Sequence, residues 1–202
     1  SCGVCSGGDS GHEADGDIDD FGLCFNENSL QGAIDAEDTG SMLIVPAGTY
    51  FESITINKSI SLNCESGAVI DASGLGTGIN IHAENVTVDG CEIVGNSQTT
   101  SGVAVGPGSS NVVISNNKIH GMQLSNPSNS SPASYGILVW GGQETSGITL
   151  DGNEIYDVLL FGIDVTEFVS NVTITNNHIH DLKYYVGSIN DFAEILIGLD
   201  PS

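Results

Sequence analysis

No arginine occurs in this chain of 202 residues, and its only lysines are Lys58, Lys118 and Lys183. Against 26 acidic residues this leaves a formal charge of −23, a surface that repels nucleic acid and anionic membrane. Uronic-acid polymers are repelled in the same way unless cations bridge the two. Charged residues of either sign make up only 14% of the chain. The outer surface must therefore be built from Asn, Ser, Thr and Gly rather than from the usual Lys and Glu. No apolar run approaches the roughly 18 residues that a membrane span needs. No signal peptide opens the chain, which reads as a mature or excised segment. Prolines number five, whereas glycines number 27, a balance that points to many turns in an ordered chain.

What is present in quantity is a repeat, and the repeat decides the fold. Four segments align without gaps: Val86–Val94, Val112–His120, Ile148–Tyr156 and Val172–His180, with starts 26, 36 and 24 residues apart. Each carries an apolar–polar–apolar triplet, a short polar corner and then an isoleucine flanked by outward positions. Period-2 alternation marks half-buried strands, and such corners are too short for hairpins or helices. Between these segments runs a second column: Gly78-Ile-Asn-Ile, Gly102-Val-Ala-Val, Gly136-Ile-Leu-Val and Gly162-Ile-Asp-Val, with Glu194-Ile-Leu-Ile as a fifth member.

Each coil therefore carries three short strands, and successive coils stack strand on strand. The expected inward ladders are Ile79/Val103/Ile137/Ile163/Ile195, Ile81/Val105/Val139/Val165/Ile197 and Ile93/Ile119/Ile155/Ile179. Branched aliphatics suit such ladders because like stacks on like across a pleated surface. The corner column reads Cys91, Asn117, Asn153, Asn177. Asparagine tolerates the left-handed conformation of tight bends, and asparagines repeated coil after coil can bond amide to amide along the stack. These asparagines are assigned a structural role.

The stretch Met42-Leu-Ile-Val-Pro-Ala-Gly-Thr-Tyr-Phe-Glu-Ser-Ile-Thr-Ile-Asn-Lys-Ser-Ile-Ser-Leu-Asn63 resembles the opening coils of the pectin-lyase-like superfamily. The resemblance covers about residues 24–198. It implies an all-β, right-handed parallel β-helix of three strands per coil and about six or seven coils. It also implies an N-terminal capping helix, for which Ser29–Glu37 is suited, with Ser29 or Asn28 as N-cap. Residues 1–20 form an acidic, cysteine-containing segment or linker, and 21–202 the β-helix domain. The scaffold hosts many unrelated functions, so the fold alone does not name an activity.

In the first segment, Cys2-Gly-Val-Cys-Ser-Gly-Gly-Asp9 resembles the end of the CGVCGGD repeats of multidomain extracellular proteins, with Ser6 in place of glycine. Glu13, Asp15, Asp17 and Asp19 space oxygen donors two apart, a spacing that would suit calcium. The loop lacks the closing bidentate Glu of an EF-hand, and a solvated acidic linker is the competing reading. Five cysteines (Cys2, Cys5, Cys24, Cys64, Cys91) read as disulfide formers in an oxidising setting. Cys64 can pair with Cys91 one coil on, or with Cys24, and the sequence does not choose. Sequons stand at Asn57, Asn85, Asn129 and Asn171. Together these features place the chain outside the cell or on its surface.

In polysaccharide-active members of the superfamily, the outward face of the Gly-Ile-x-Val column is the substrate groove. Here its outward positions include Asn80 and His82, Leu138 and Trp140, Asp164 and Thr166. Trp140 offers a stacking platform for a sugar ring, flanked by Asn80 and His82. Asp164 with Glu144 or Glu167 would make the carboxylate pair of a glycosidase. The family's catalytic motifs are missing, however. No lysine lies on this column to serve as a lyase base. The Gly-His-Gly, Arg-Ile-Lys and Asp-Pro-His signatures do not occur. Asp164 is accordingly read as a solvated position, and Ala104, Leu138 and Leu196 as a face that packs on a loop or partner. His120 and His180 share an outward column two coils apart, roughly 10 Å, too far for one metal, and read as surface histidines. An insertion near Met122–Ser134 reads as a protruding loop.

These features point to a non-catalytic structural or interaction β-helix within a larger glycosylated surface or fibrous assembly. The chain ends at Ser202 with no capping helix in view, so association with its own copies or with neighbouring domains is expected. A lyase or hydrolase, or a passive glycan-binding module, remains the alternative.

Overall fold

A computed structural model describes residues 29–123, 134–141, 145–166 and 168–183, and the backbone of 193–197. Its helix α1 (Leu30–Ala36) begins at Ser29, whose hydroxyl caps the Gly32 amide at 3.0 Å. Of the two expected N-caps, Ser29 takes the role. The Glu52 carboxylate reaches back from the first coil to accept from the amides of Leu30 and Gln31, at 2.5 and 3.0 Å. Leu30 and Ile34, fully buried, seal the end of the stack.

The first coil comprises β1 (Met42–Val45), β2 (Gly48–Tyr50) and β3 (Ile54–Ile56). The second has β4 (Ile60–Cys64), β5 (Ala68–Asp71) and β6 (Thr77–Ile81). In the third are β7 (Val86–Asp89), β8 (Glu92–Val94) and β9 (Ser101–Val105). The fourth contains β10 (Ser110–Ser115), β11 (Lys118–His120) and β12 (Ser134–Val139). The fifth is β13 (Ser146–Asp151), β14 (Glu154–Tyr156) and β15 (Leu160–Val165). The sixth is β16 (Ser170–Thr175), β17 (His178–His180) and β18 (Ala193–Ile197).

Every third strand joins the same sheet. The first sheet runs β1-β4-β7-β10-β13-β16, the second β2-β5-β8-β11-β14-β17 and the third β3-β6-β9-β12-β15-β18, all parallel. Three sheets wound from one chain by short corners make a right-handed parallel β-helix of six described coils. The expected ladders occur in register: Ile79 pairs with Val103, Val103 with Ile137, Ile137 with Ile163, and Ile163 with Ile195. The side chains of this ladder from Ile79 to Ile163 are fully buried. In the sixth coil Val172, Ile174 and Ile179 are only half-buried against the core.

The corner column behaves as expected in bonding but not in backbone. Asn117 donates its side-chain amide to Asn153 Oδ1 at 3.0 Å, and Asn153 donates to Asn177 Oδ1 at 2.9 Å. Each also donates to a strand carbonyl of the coil before, Asn117 to Val88 and Asn153 to Ile114, both at 2.9 Å. The left-handed residue of the bend, however, is the preceding one: Gly90, Asn116, Gly152 and Asn176, with φ between 53° and 74°. The expectation that Asn117, Asn153 and Asn177 themselves adopt that conformation is corrected. A residue holding two coils through its amide is left in ordinary backbone, and its neighbour makes the turn.

Cysteine 91 continues the corner column into the third coil. Its backbone amide donates to Asn117 Oδ1 at 2.9 Å, and its sulfur is bonded to Cys64. The Cys64–Cys91 pairing is therefore the one formed, and it staples adjacent coils across 27 residues. Cys2, Cys5 and Cys24 lie outside the described residues, as does the expected boundary near residue 20.

The glycine column has a steric cause. A Cβ on Gly102 would sit 2.7 Å from the Gly136 carbonyl oxygen and 2.3 Å from Ile119 Cγ2. A Cβ on Gly136 would meet the Gly162 oxygen at 2.5 Å and Ile155 at 2.4 Å. Each glycine thus lets the next coil's backbone and the adjoining aliphatic ladder close over it.

Candidate functional site

The outward face of the third sheet carries a cleft of about 560 Å³. Parallel register sets its floor: Asn80 beside Ala104, Ala104 beside Leu138, and Leu138 beside Asp164. Two residues further along these strands, His82, Gly106, Trp140 and Thr166 line one side. Thr77, Thr100, Ser101 and Tyr135 line the other. The four groove residues expected from sequence (Asn80, His82, Trp140, Asp164) are brought together in one cleft.

Local geometry shows how each is held. The Trp140 amide donates to Val105 O at 2.9 Å, which fixes its backbone while the indole stays 53% exposed. The His82 imidazole lies over Gly106, where a Cβ would come within 2.3 Å of the ring. Glycine at 106 therefore makes the room that His82 occupies. Thr166 accepts from the Gly141 amide at 2.5 Å and ties the Trp140 turn to the following coil. Tyr135 stacks on Phe161 of the next coil with ring centroids 5.5 Å apart, which stiffens the opposite side.

Asp164 departs from expectation. It is not solvated but 8% exposed, on the cleft floor, and burial holds its carboxyl above the usual carboxylate range. Outward orientation from the coil does not give exposure here, because side chains rise on both sides of the floor. Leu138 is likewise buried, at 5%. A carboxyl with a raised pKa among hydroxyls, an amide and an indole can donate or accept a hydrogen bond to a polar ligand. Glu144 and Glu167, the expected catalytic partners of Asp164, lie outside the described residues.

The histidine column on the second sheet is a ring stack. Tyr156 stands between His120 and His180, at centroid distances of 4.7 and 5.1 Å. The two histidines are thus one ring apart, in keeping with their expected separation. His120 also lies 2.9 Å from Glu92, which accepts from Lys118 at 3.0 Å. These contacts, His120 foremost, hold the Glu92 carboxyl below its ordinary range. Sequence reading passed over His178, which shares this face.

Of the sequon asparagines, Asn57, Asn85 and Asn171 are exposed, and Asn129 lies outside the described residues. Asn85 and Asn171 both occupy left-handed bends, at φ 55° and 54°. The acidic run Glu13, Asp15, Asp17, Asp19 and the Cys2–Asp9 segment also fall outside the described residues. No helix among the described residues is long and apolar enough to cross a membrane.

A β-helix with a lined cleft on the outward face of its third sheet defines the class, and comparison with known proteins places the chain within it. Residues 47–195 match the right-handed beta helix region family, and the chain belongs to that family. It is similar to a probable ABC transporter binding protein NosD of Stutzerimonas stutzeri, 34% identical over 115 residues. That match covers 55% of this chain and 23% of the relative. It is also similar to a cell surface glycoprotein of Methanothermus fervidus, 41% identical over 69 residues, 33% of this chain and 12% of that protein. The chain thus spans less than a quarter of the length of either relative. No solved structure matches it.

Proposed function

We propose that this chain is a non-catalytic β-helical segment of an extracellular or cell-surface protein, acting through interaction rather than chemistry. The observation that carries the reading is how fully stacking accounts for the repeated residues. The aliphatic ladders fill the core, the asparagines bond the corners, and the glycines admit the next coil. The relatives named as a cell surface glycoprotein and a binding protein are consistent with such a role. Carbohydrate on Asn57, Asn85, Asn129 and Asn171, and association with further copies or with neighbouring segments of the same polypeptide, belong to this reading. Incubation with acidic and neutral polysaccharides, with and without calcium, is expected to release no new reducing or unsaturated ends. Release of either would overturn it in favour of a lyase or hydrolase using Asp164 with Glu144 or Glu167.

A second reading, a glycan-binding module, is favoured by the half-exposed Trp140 above the Asn80–Asp164 floor. An indole face beside amide and carboxyl groups is the combination that holds a sugar ring. Titration with neutral oligosaccharides, followed by tryptophan fluorescence, tests it directly because Trp140 is the chain's single tryptophan. A signal that does not move at millimolar sugar removes this reading.

A further inference from the structure

We propose that Glu154, His178 and His180 form a binding site for one divalent transition-metal ion of the zinc class, on the outer face of the second sheet. Strand β17 reads His178-Ile179-His180, so the isoleucine turns to the core and both imidazoles project from the same face. Register then places Glu154 directly beside His178, and Tyr156 beside His180. One ligand atom from each of Glu154, His178 and His180 lies within 4.8 Å of the other two. Ligands bound at about 2.0–2.2 Å to one tetrahedral ion stand roughly 3.3–3.6 Å apart, so closure needs a shift of only about an ångström. The Glu154 side chain is 46% exposed and that of His180 31% exposed, which leaves them room to make that shift.

Second contacts orient the ligands toward a common point. His180 Nε2 is 3.4 Å from Glu154 Oε1, while its Nδ1 is 2.9 Å from Asp181 Oδ2. A carboxylate on the far nitrogen is the usual support of a metal-bound histidine, since it fixes which nitrogen faces the ion. Tyr156 stacks on the His180 ring within 11° of parallel, and the His178 ring packs against the same His180 ring with centroids 4.4 Å apart. Lys118 and His120, on β11 two coils before β17, are both engaged with Glu92. The outward pairs of this sheet read Glu92/Val94, Lys118/His120, Glu154/Tyr156 and His178/His180, so β17 alone among these four strands offers two imidazoles.

Two imidazoles and one carboxylate suit zinc, cobalt or nickel rather than calcium or magnesium, which prefer all-oxygen shells. Three protein ligands leave a coordination position for water or for a group from outside the chain. The acidic surface raises the local concentration of any cation.

The test uses the full chain with its disulfides intact, titrated with Zn²⁺ in a calorimeter. Wild type is expected to give a saturable isotherm containing a one-site component that disappears in the His178→Ala/His180→Ala variant. Both side chains face outward, and circular dichroism should show the variant folded as wild type is. Asp181→Asn should keep the site but weaken it about 10–100-fold, as loss of a supporting carboxylate does. In NMR spectra, the imidazole signals of His178 and His180 should move on Zn²⁺ addition while that of His82 stays in place. An unchanged Zn²⁺ isotherm in the double variant overturns the proposal, and so does a wild-type protein that binds no Zn²⁺.

Discussion

Asn153 Oδ1 accepts two hydrogen bonds from Asn117, one from the backbone amide and one from the side-chain amide, each at 3.0 Å. Its own amide donates at 2.9 Å to both Ile114 O and Asn177 Oδ1. One buried side chain thereby ties three coils with every polar atom satisfied. Asn153→Ala should take a partner from two donors and a carbonyl in the interior and destabilise by about 3 kcal/mol or more, given roughly 1–3 kcal/mol for each group left unpaired. Urea denaturation measures it. A loss below about 0.5 kcal/mol would mean that water takes over the vacated bonds.

The Cys64–Cys91 bond closes a loop between adjacent coils. For a sequence separation of 27, the chain-entropy model gives a stabilisation of roughly 3.5 kcal/mol. Thermal unfolding with and without reductant, or of Cys91→Ser, should show a lower midpoint. Coincident curves would show that stacking alone holds these coils.

Gly136→Ala forces a methyl against the Gly162 carbonyl oxygen and against Ile155. Overpacking of this kind costs typically about 1–3 kcal/mol, and it should widen the spacing between the fourth and fifth coils. Hydrogen exchange of the β12 and β15 amides reports that widening. Wild-type protection in the variant would contradict the steric account of the glycine column.

Burial raises the Asp164 carboxyl above its usual range in the folded state. Its ionisation therefore works against folding: stability falls as pH rises from the ordinary carboxylate range through the raised value, and the loss is complete above it. Asp164→Asn should be more stable than wild type near neutrality, with the difference vanishing in acid below about pH 4. Denaturation of both proteins across pH decides this. Parallel curves would mean that Asp164 titrates normally.

Much of this architecture is legible because each coil repeats the same alternation, so Ile79, Val103, Ile137 and Ile163 align in the sequence alone. Cys64–Cys91 was legible only as one of two pairings, since the choice depends on how the capping end and the corner sit in space. Doubled asparagines hid the division of labour at the corners. In Asn116-Asn117 and Asn176-Asn177 either residue suits a bend, and only the Gly90 and Gly152 positions signal which one makes it. The depth of the cleft was not legible at all. Alternation says that Asp164 points outward, but its burial depends on what stands along both sides of the floor. The His178 cluster needs both the alternation of one strand and its register with the next. That register pairs Glu154 with His178 across 24 residues, a spacing the neighbouring pair Lys118 and Glu154, 36 apart, does not share.

One consequence follows from the register between β11 and β14. Asn117 and Asn153 are partners although 36 residues separate them, whereas Asn153 and Asn177 are partners across 24. Distance along the chain and position in the stack are therefore uncoupled. Thirteen residues separate β11 from β12 and three separate β14 from β15, yet the rungs on either side stay aligned. Such a molecule can lengthen by whole rungs, or by residues between them, without re-solving its interior.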